Sequence, residues 1–204
     1  PSENSGSCWF FPEIGVYFGE YELTATLEDD TTNPVDPPAP NATAFEPTFG
    51  SINDDTIEVS GSDQLIFVGD MNDLVDATTG EGNNRIYAGN GDDTLILGES
   101  DRILAGVGDD RIFATSGGDN TITGGEGADQ FWIASAELPE SANIITDFMS
   151  GEDVIGLAGL GIGFEDVSIT TTEGDALISA SGSDLAILQG IEADSLSADD
   201  FAFA

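Results

Sequence analysis

The feature that most constrains this chain is a nine-residue period running from Gly50 to Trp132. Nine consecutive segments fit it: GSINDDTIE, VSGSDQLIF, VGDMNDLVD, TGEGNNRIY, AGNGDDTLI, LGESDRIL, AGVGDDRIF, TSGGDNTIT and GGEGADQFW. The last, Gly124 to Trp132, is the most complete form of the pattern G-G-x-G-x-D-x-U-x, where U is a large apolar residue. Ala77-Thr78 and Ala114 are inserted and the sixth segment, Leu97 to Leu104, is one residue short, irregularities that a chain tolerates in turns. The first six positions are built to turn, because glycine reaches positive φ and leaves room for close backbone approach. The last three extend. Two copies then make one coil of a roll, as in the known nonapeptide solenoid. The expected fold is all-β, a parallel β-roll. Position eight, Ile57, Ile66, Val75, Ile86, Leu95, Ile103, Ile112, Ile122 and Phe131, points inward, and positions seven and nine point outward.

The same turns carry the chemistry. Glycine turns aim backbone carbonyls into the gap between neighbouring turns, and an Asp at position six adds a carboxylate. The result is an all-oxygen site suited to the hard ion Ca2+. With no His and a single, remote Cys8, softer metals lack their nitrogen and sulfur ligands. Successive turns fall on opposite edges of such a roll. On one edge position six reads Asp55, Asp73, Asp93, Asp110 and Asp129, whereas the other edge reads Gln64, Asn84, Asp101 and Asn120. Calcium occupancy is therefore expected to be asymmetric. The strongest sites are expected at Asp93, Asp110 and Asp129, which accompany the complete glycine pairs Gly89 and Gly91, Gly106 and Gly108, Gly125 and Gly127. Asp73 follows, weakened by Met71 in a glycine position, and Asp55 and Asp101 complete the candidate set. On the second edge the competing expectation is that amides hydrogen-bond the opposite turn in place of an ion.

Charge points the same way. Forty acidic residues stand against three basic ones, a net charge of -37, which excludes a nucleic-acid or anionic-membrane partner. Bound calcium relieves that repulsion and binds only the folded geometry, so an expanded chain is expected without it. The absence of Lys and His removes a P-loop, a Schiff base, a Ser-His triad, a zinc-protease helix and a His base from this stretch. No catalytic residue is assigned. No run of 18 apolar residues offers a membrane span, and no basic leader precedes Pro1, as expected of a fragment of a larger protein.

Four regions are expected: 1–29 as the remnant of an upstream β domain, with alternation at Tyr21, Leu23, Ala25 and Leu27; 30–48 as a Pro/Asp/Thr-rich linker; 49–132 as the roll; and 133–204 as a C-terminal β-cap. Cys8 is a buried thiol or pairs outside this piece. Position nine places Phe67, Tyr87 and Leu104 on one outer face and Ile96, Phe113 and Trp132 on the other, stripes open to packing, self-association or polysaccharide contact. Arg85, Arg102 and Arg111 at position seven are expected to pair with nearby carboxylates.

The nonapeptides make the chain resemble the RTX, or repeats-in-toxin, family of calcium-binding β-roll proteins. Ile145 to Leu157 is similar to the I-x-D-F-x-x-G-x-D-x-I-x-L segment that follows the repeats in serralysin-like proteases and other RTX proteins, and Asp199-Asp200-Phe201-Ala202-Phe203-Ala204 resembles their uncleaved signal for a type I secretion apparatus. The resemblance implies a secreted, extracellular or cell-surface calcium-binding module at the C-terminus of a bacterial protein, folding on calcium outside the cell. Two other roles fit it: a calcium-dependent surface-layer, adhesin or filament component, and an accessory module of a hydrolase whose catalytic domain lies upstream. An enzyme within this stretch is the weakest reading, because plentiful carboxylates are not an acid-base pair.

Overall fold

The structure is a computed structural model and describes residues 47–136 and 138–204. The expected β segment at 1–29, Cys8 and the linker up to residue 46 lie outside the described residues. The expected β-roll is present. Two sheets face each other across a narrow core, and the repeat region contributes to both by pairing each strand in parallel with the strand one coil away. The first sheet holds Thr48–Phe49, Leu65–Asp70, Arg85–Asn90, Arg102–Val107 and Thr121–Glu126, and the second holds Thr56–Glu58, Leu74–Asp76, Thr94–Ile96, Arg111–Phe113 and Gln130–Ser135. Register is strict: Leu65, Arg85, Arg102 and Thr121 align, as do Ile66, Ile86, Ile103 and Ile122.

The inward column at position eight is buried throughout except at half-buried Ile57. A second inward column lies at position one, which the repeat pattern did not disclose: Val59, Val68, Ala88, Leu97 and Ala105 are all buried. The cause is strand period. Position eight points in and nine points out, so the next residue points in again while the chain stays extended. Ala77 and Ala114, which read as insertions, take this same place and are equally buried. The extra residues therefore sit farther on, inside the turns that follow them.

Those turns differ between the edges. On the edge of Asp73 every turn from position one to six has six residues: Val68–Asp73, Ala88–Asp93, Ala105–Asp110 and Gly124–Asp129. On the other edge the lengths are unequal, from five in Leu97–Asp101 to eight in Ala77–Asn84. Backbone conformation differs too. The regular edge places positive φ at positions two and four, as at Gly106 (130°) and Gly108 (139°), where an added Cβ would lie 2.1 Å from the carbonyl oxygens of Gly89 and Gly91 respectively. The irregular edge places positive φ at the residue before position six, Asp63, Asn83, Ser100 and Asp119, as well as at Gly61, Gly82, Gly117 and Gly118.

Past the repeats the roll gains one further coil. Asn143–Ile145 extends the first sheet beside Thr121–Glu126, and Val154–Ala158 extends the second beside Gln130–Ser135. Ser183–Leu188 then pairs in parallel with Asn143–Ile145 and leads an antiparallel meander with Asp175–Ala180 and Val167–Thr172. Phe201–Phe203 closes the second sheet against Ile155 to Leu157. Phe148, Ile155, Leu157, Ile178, Leu185 and Phe201 continue the core. Among the described residues no helix is long and apolar enough to cross a membrane.

Candidate functional site

The position-six aspartates of the regular edge stand in one column, each tied to the coil before it. The Asp55 N–H donates to Asp73 Oδ1 at 2.7 Å, Asp73 N–H to Asp93 Oδ1 at 2.8 Å, Asp93 N–H to Asp110 Oδ1 at 2.8 Å and Asp110 N–H to Asp129 Oδ1 at 2.9 Å. One oxygen of each carboxylate is thereby held in place. The second is not: Oδ2 of Asp73, Asp93 and Asp110 is buried and accepts no hydrogen bond from the described residues, and each residue is at most 3% exposed. Leaving a buried anionic oxygen without a partner costs several kcal/mol, and proteins resolve it with a proton or a cation. Burial raises the Asp110 carboxyl to about 7 and those of Asp93 and Asp129 to about 6, and neighbouring carboxylates add to it against the opposing backbone N–H groups. Asp73 is raised for the same leading reason.

The glycines bring carbonyls to the same edge. The oxygens of Gly89 and Gly106 lie against Gly106 and Gly125 of the next coil, and those of Met71, Gly91 and Gly108 against Gly91, Gly108 and Gly127. A side chain at any of these positions would fill the gap between turns. Carboxylate and carbonyl oxygens, with neither nitrogen nor sulfur, fit Ca2+. Among the described residues no group of three or more acidic, His or Cys side chains converges on one point. The donor set is thus one of isolated carboxylates and turn carbonyls rather than a carboxylate cage.

The opposite edge is closed by amides. Asn84 N–H and Nδ2 both donate to Asp101 Oδ1, at 3.0 and 2.9 Å, and Gly98 N–H reaches Asp101 Oδ2 at 3.3 Å. Asn120 Oδ1 accepts the Asp101 N–H at 2.8 Å, while its Nδ2 donates to Gly98 O and Asn143 Oδ1. These amides bond the turn stacked on their own edge, not the opposite turn as expected, because the core separates the edges while a neighbouring coil lies within hydrogen-bond reach. Asp101 therefore stands apart from the other candidate aspartates. Its carboxyl is also raised, by burial, with the Asn84 hydrogen bonds opposing.

Both columns outrun the repeats. Asp153 takes the Asp129 N–H at 3.0 Å and the Met149 N–H at 2.8 Å, so both its oxygens are satisfied, and Asn143 extends the amide column. Asp147 accepts the N–H groups of Gly124 and Gly125 at 3.0 and 2.9 Å. The nine-residue count had ended, but the signal was there: Asp147 and Asp153 are the acidic positions of the I-x-D-F-x-x-G-x-D segment. A further exposed column at position five was missed. Here Asp109 and Asp92 N–H groups donate to Asp92 and Asn72 Oδ1 of the previous coil, both at 3.0 Å, opposite in direction to position six.

The outward stripes form as expected. Phe49, Phe67 and Tyr87 stack with centroids 5.5 and 5.0 Å apart, and Phe113 stacks on Trp132 at 6.1 Å. Each inner ring thus covers its neighbour's face. Trp132 leans over Gly156, where a Cβ would come within 2.4 Å of the indole. Arg85 and Arg102 are exposed and in register on adjacent strands.

The RTX calcium-binding nonapeptide repeat model matches residues 67–100 and 114–132 in four copies. These are RTX repeats. RTX repeats bind Ca2+, so calcium is the cofactor of this roll. The AlgE6R3 subunit from the Azotobacter vinelandii mannuronan C5-epimerase is similar in structure, at 23% identity and a TM-score of 0.39, covering 74% of this chain and 80% of that one. The AlgE6R2 subunit of the same organism's epimerase shares 24% identity at a TM-score of 0.36, covering 79% and 94%. No curated protein matches the chain.

Proposed function

We propose that this chain is the calcium-folded RTX module of a secreted bacterial protein, exported in an expanded state and set into its roll by calcium outside the cell. The observation that carries this reading is the column of buried aspartates, Asp73, Asp93 and Asp110, each with one carboxylate oxygen unpartnered. Those oxygens, with the carbonyls of the stacked glycine turns, are the groups that would hold the ion. Bound calcium supplies positive charge and oxygen coordination; the chain supplies the spacing, the exclusion of water and the strict register. Gly89, Gly91, Gly106, Gly108, Gly125 and Gly127 keep the gap between turns open. Asp55 and Asp129 flank the interior three.

Extracellular modules bind calcium with dissociation constants of roughly 0.1 to 1 mM, so cytoplasmic calcium leaves such a site empty. Without the ion, a chain of net charge -37 repels itself and buries uncompensated carboxylates. Export by a type I apparatus would pass that expanded form, with the C-terminal strand Phe201–Phe203 pairing only once the second sheet exists. The test is strand content by circular dichroism during calcium addition, paired with export of a reporter fused to residues 49–204 in a host bearing such an apparatus. Folding without calcium, or export unaffected by removal of the last six residues, contradicts the reading. The exposed stripe of Phe49, Phe67, Tyr87 and Leu104 favours a second role, a surface-layer or adhesin component that assembles through that face. Calcium-dependent growth of light scattering distinguishes it.

A further inference from the structure

We propose that calcium loads one edge of this roll only, three ions to a chain, and that the other edge is an ion-free amide spine. The inference rests on the calcium-module reading and deepens it. Three independent observations carry it. The first is the bookkeeping of carboxylate oxygens. The regular edge has three buried oxygens without a partner, at Asp73, Asp93 and Asp110. Toward its ends the need is smaller: Asp55 Oδ2 accepts the Ser51 N–H, Asp153 Oδ2 accepts the Met149 N–H, and Asp129 Oδ2, which takes no hydrogen bond from the described residues, is not among the fully buried oxygens. On the other edge the one buried carboxylate, Asp101 at position six, has both oxygens bonded to protein. One open oxygen marks one ion.

The second observation is turn length. An ion held between two stacked turns fixes how many residues each turn spans, because every carbonyl must reach the same point. The regular edge keeps six residues from position one to six in four successive turns, while the other runs from five to eight. The tolerance is confined to the edge where amides bridge neighbouring coils. The third is backbone conformation. The regular edge takes positive φ at positions two and four alone, where the previous coil's carbonyl lies against the glycine, whereas the other edge, beside its own glycines Gly61, Gly82, Gly117 and Gly118, takes positive φ at the residue before position six, Asp63, Asn83, Ser100 and Asp119, side chains that tolerate left-handed backbone when flanked by solvent. Amide side chains supply both a donor and an acceptor, so a ladder of them satisfies itself without a cation.

The division has a consequence for folding. The amide spine asks nothing of the medium, and calcium acts on one seam of the roll. The whole chain is tested by flow dialysis with radiolabelled calcium in excess magnesium, which masks weak surface carboxylates. Three ions per chain are expected for the wild type, three for Asp101→Asn, and fewer for Asp110→Asn. Two insertion variants guard against a substitution that merely unfolds the chain. One glycine added between Thr78 and Thr79, in the irregular turn, leaves the count at three, and one added between Gly108 and Asp109 lowers it. A wild-type count other than three, or an ion lost in both Asp101→Asn and the Thr78 insertion, overturns the one-edged assignment. A chain that binds no calcium at all sinks the module reading itself.

Discussion

Replacing Asp110 with Asn should stabilise the ion-free roll and shrink the stability it gains from calcium. The folded, ion-free state holds the Asp110 carboxyl at about 7 against an ordinary 3.8, chiefly because it is buried. Ionising it at pH 7.5 therefore costs the ion-free fold roughly 4 kcal/mol, at about 1.4 kcal/mol per tenfold change in proton affinity. Asparagine keeps the Oδ1 that accepts the Asp93 N–H and carries no charge. Its Nδ2 must find an acceptor, as Asn120 Nδ2 does at Gly98 O on the other edge. Subtracting about 1 to 3 kcal/mol for an imperfect partner leaves a net gain of roughly 1 to 3 kcal/mol in chelator. In calcium that gain is offset. A site with a dissociation constant near 0.1 mM contributes roughly 2 kcal/mol at about 5 mM calcium, and the variant forfeits it. Thermal unfolding followed by circular dichroism, in chelator with a stabilising osmolyte and again in about 5 mM calcium, reads both. The calcium-induced gain in Tm should shrink while the chelator Tm rises. An unchanged calcium gain, or a lower Tm in chelator, would refute the reasoning.

Four more outcomes follow from the same geometry. In chelator, strand content should rise on acidification from pH 7.5 to 5: the folded carboxyls of Asp93, Asp110 and Asp129 sit at about 6 to 7 against an ordinary 3.8, so ion-free stability is greatest below about pH 4 and is lost as pH rises through 6 to 7. In calcium, protons compete for the same oxygens, so the calcium midpoint should increase from pH 7.5 to 6; a midpoint independent of pH counts against the assignment. Gly108→Ala places a Cβ 2.1 Å from the Gly91 carbonyl oxygen at a φ of 139°, and should cost several kcal/mol and abolish calcium-induced folding in a circular dichroism titration. Met71 sits at φ 77° in a glycine position, so Met71→Gly should stabilise the calcium-bound roll by about 1 kcal/mol and lower the calcium midpoint, and a higher midpoint would show that the strain inferred there is absent.

The roll and its metal-bearing edge were legible because a nine-residue period ties each side chain to one place in the coil. Position eight could be read as core, and the asymmetry of position six was visible as Asp against Asn and Gln. What escaped reading has physical causes. Ala88 and Ala105 give no apolar signal at position one, since a small side chain suffices where the turn begins to close, and Ala77 and Ala114 look like insertions until the strand is seen to run through them. Asp153 and Asn143 lie 24 and 23 residues beyond their ladder partners, Asp129 and Asn120, so no nine-residue count reaches them. That the amides bond along an edge rather than across the roll depends on coil spacing, which sequence does not state. The two turn classes were hidden for a similar reason: φ at Asn83 or Asp119 is a property of the path between fixed strands, not of the residue alone.

The central claim is that calcium on the Asp73 to Asp110 column makes this roll fold. The most direct measurement is a calcium titration of the chain followed at once by far-ultraviolet circular dichroism and light scattering. The account predicts a cooperative gain of strand signal at sub-millimolar to millimolar calcium, reduced in Asp110→Asn. Full strand content in chelator, unmoved by calcium, would contradict it.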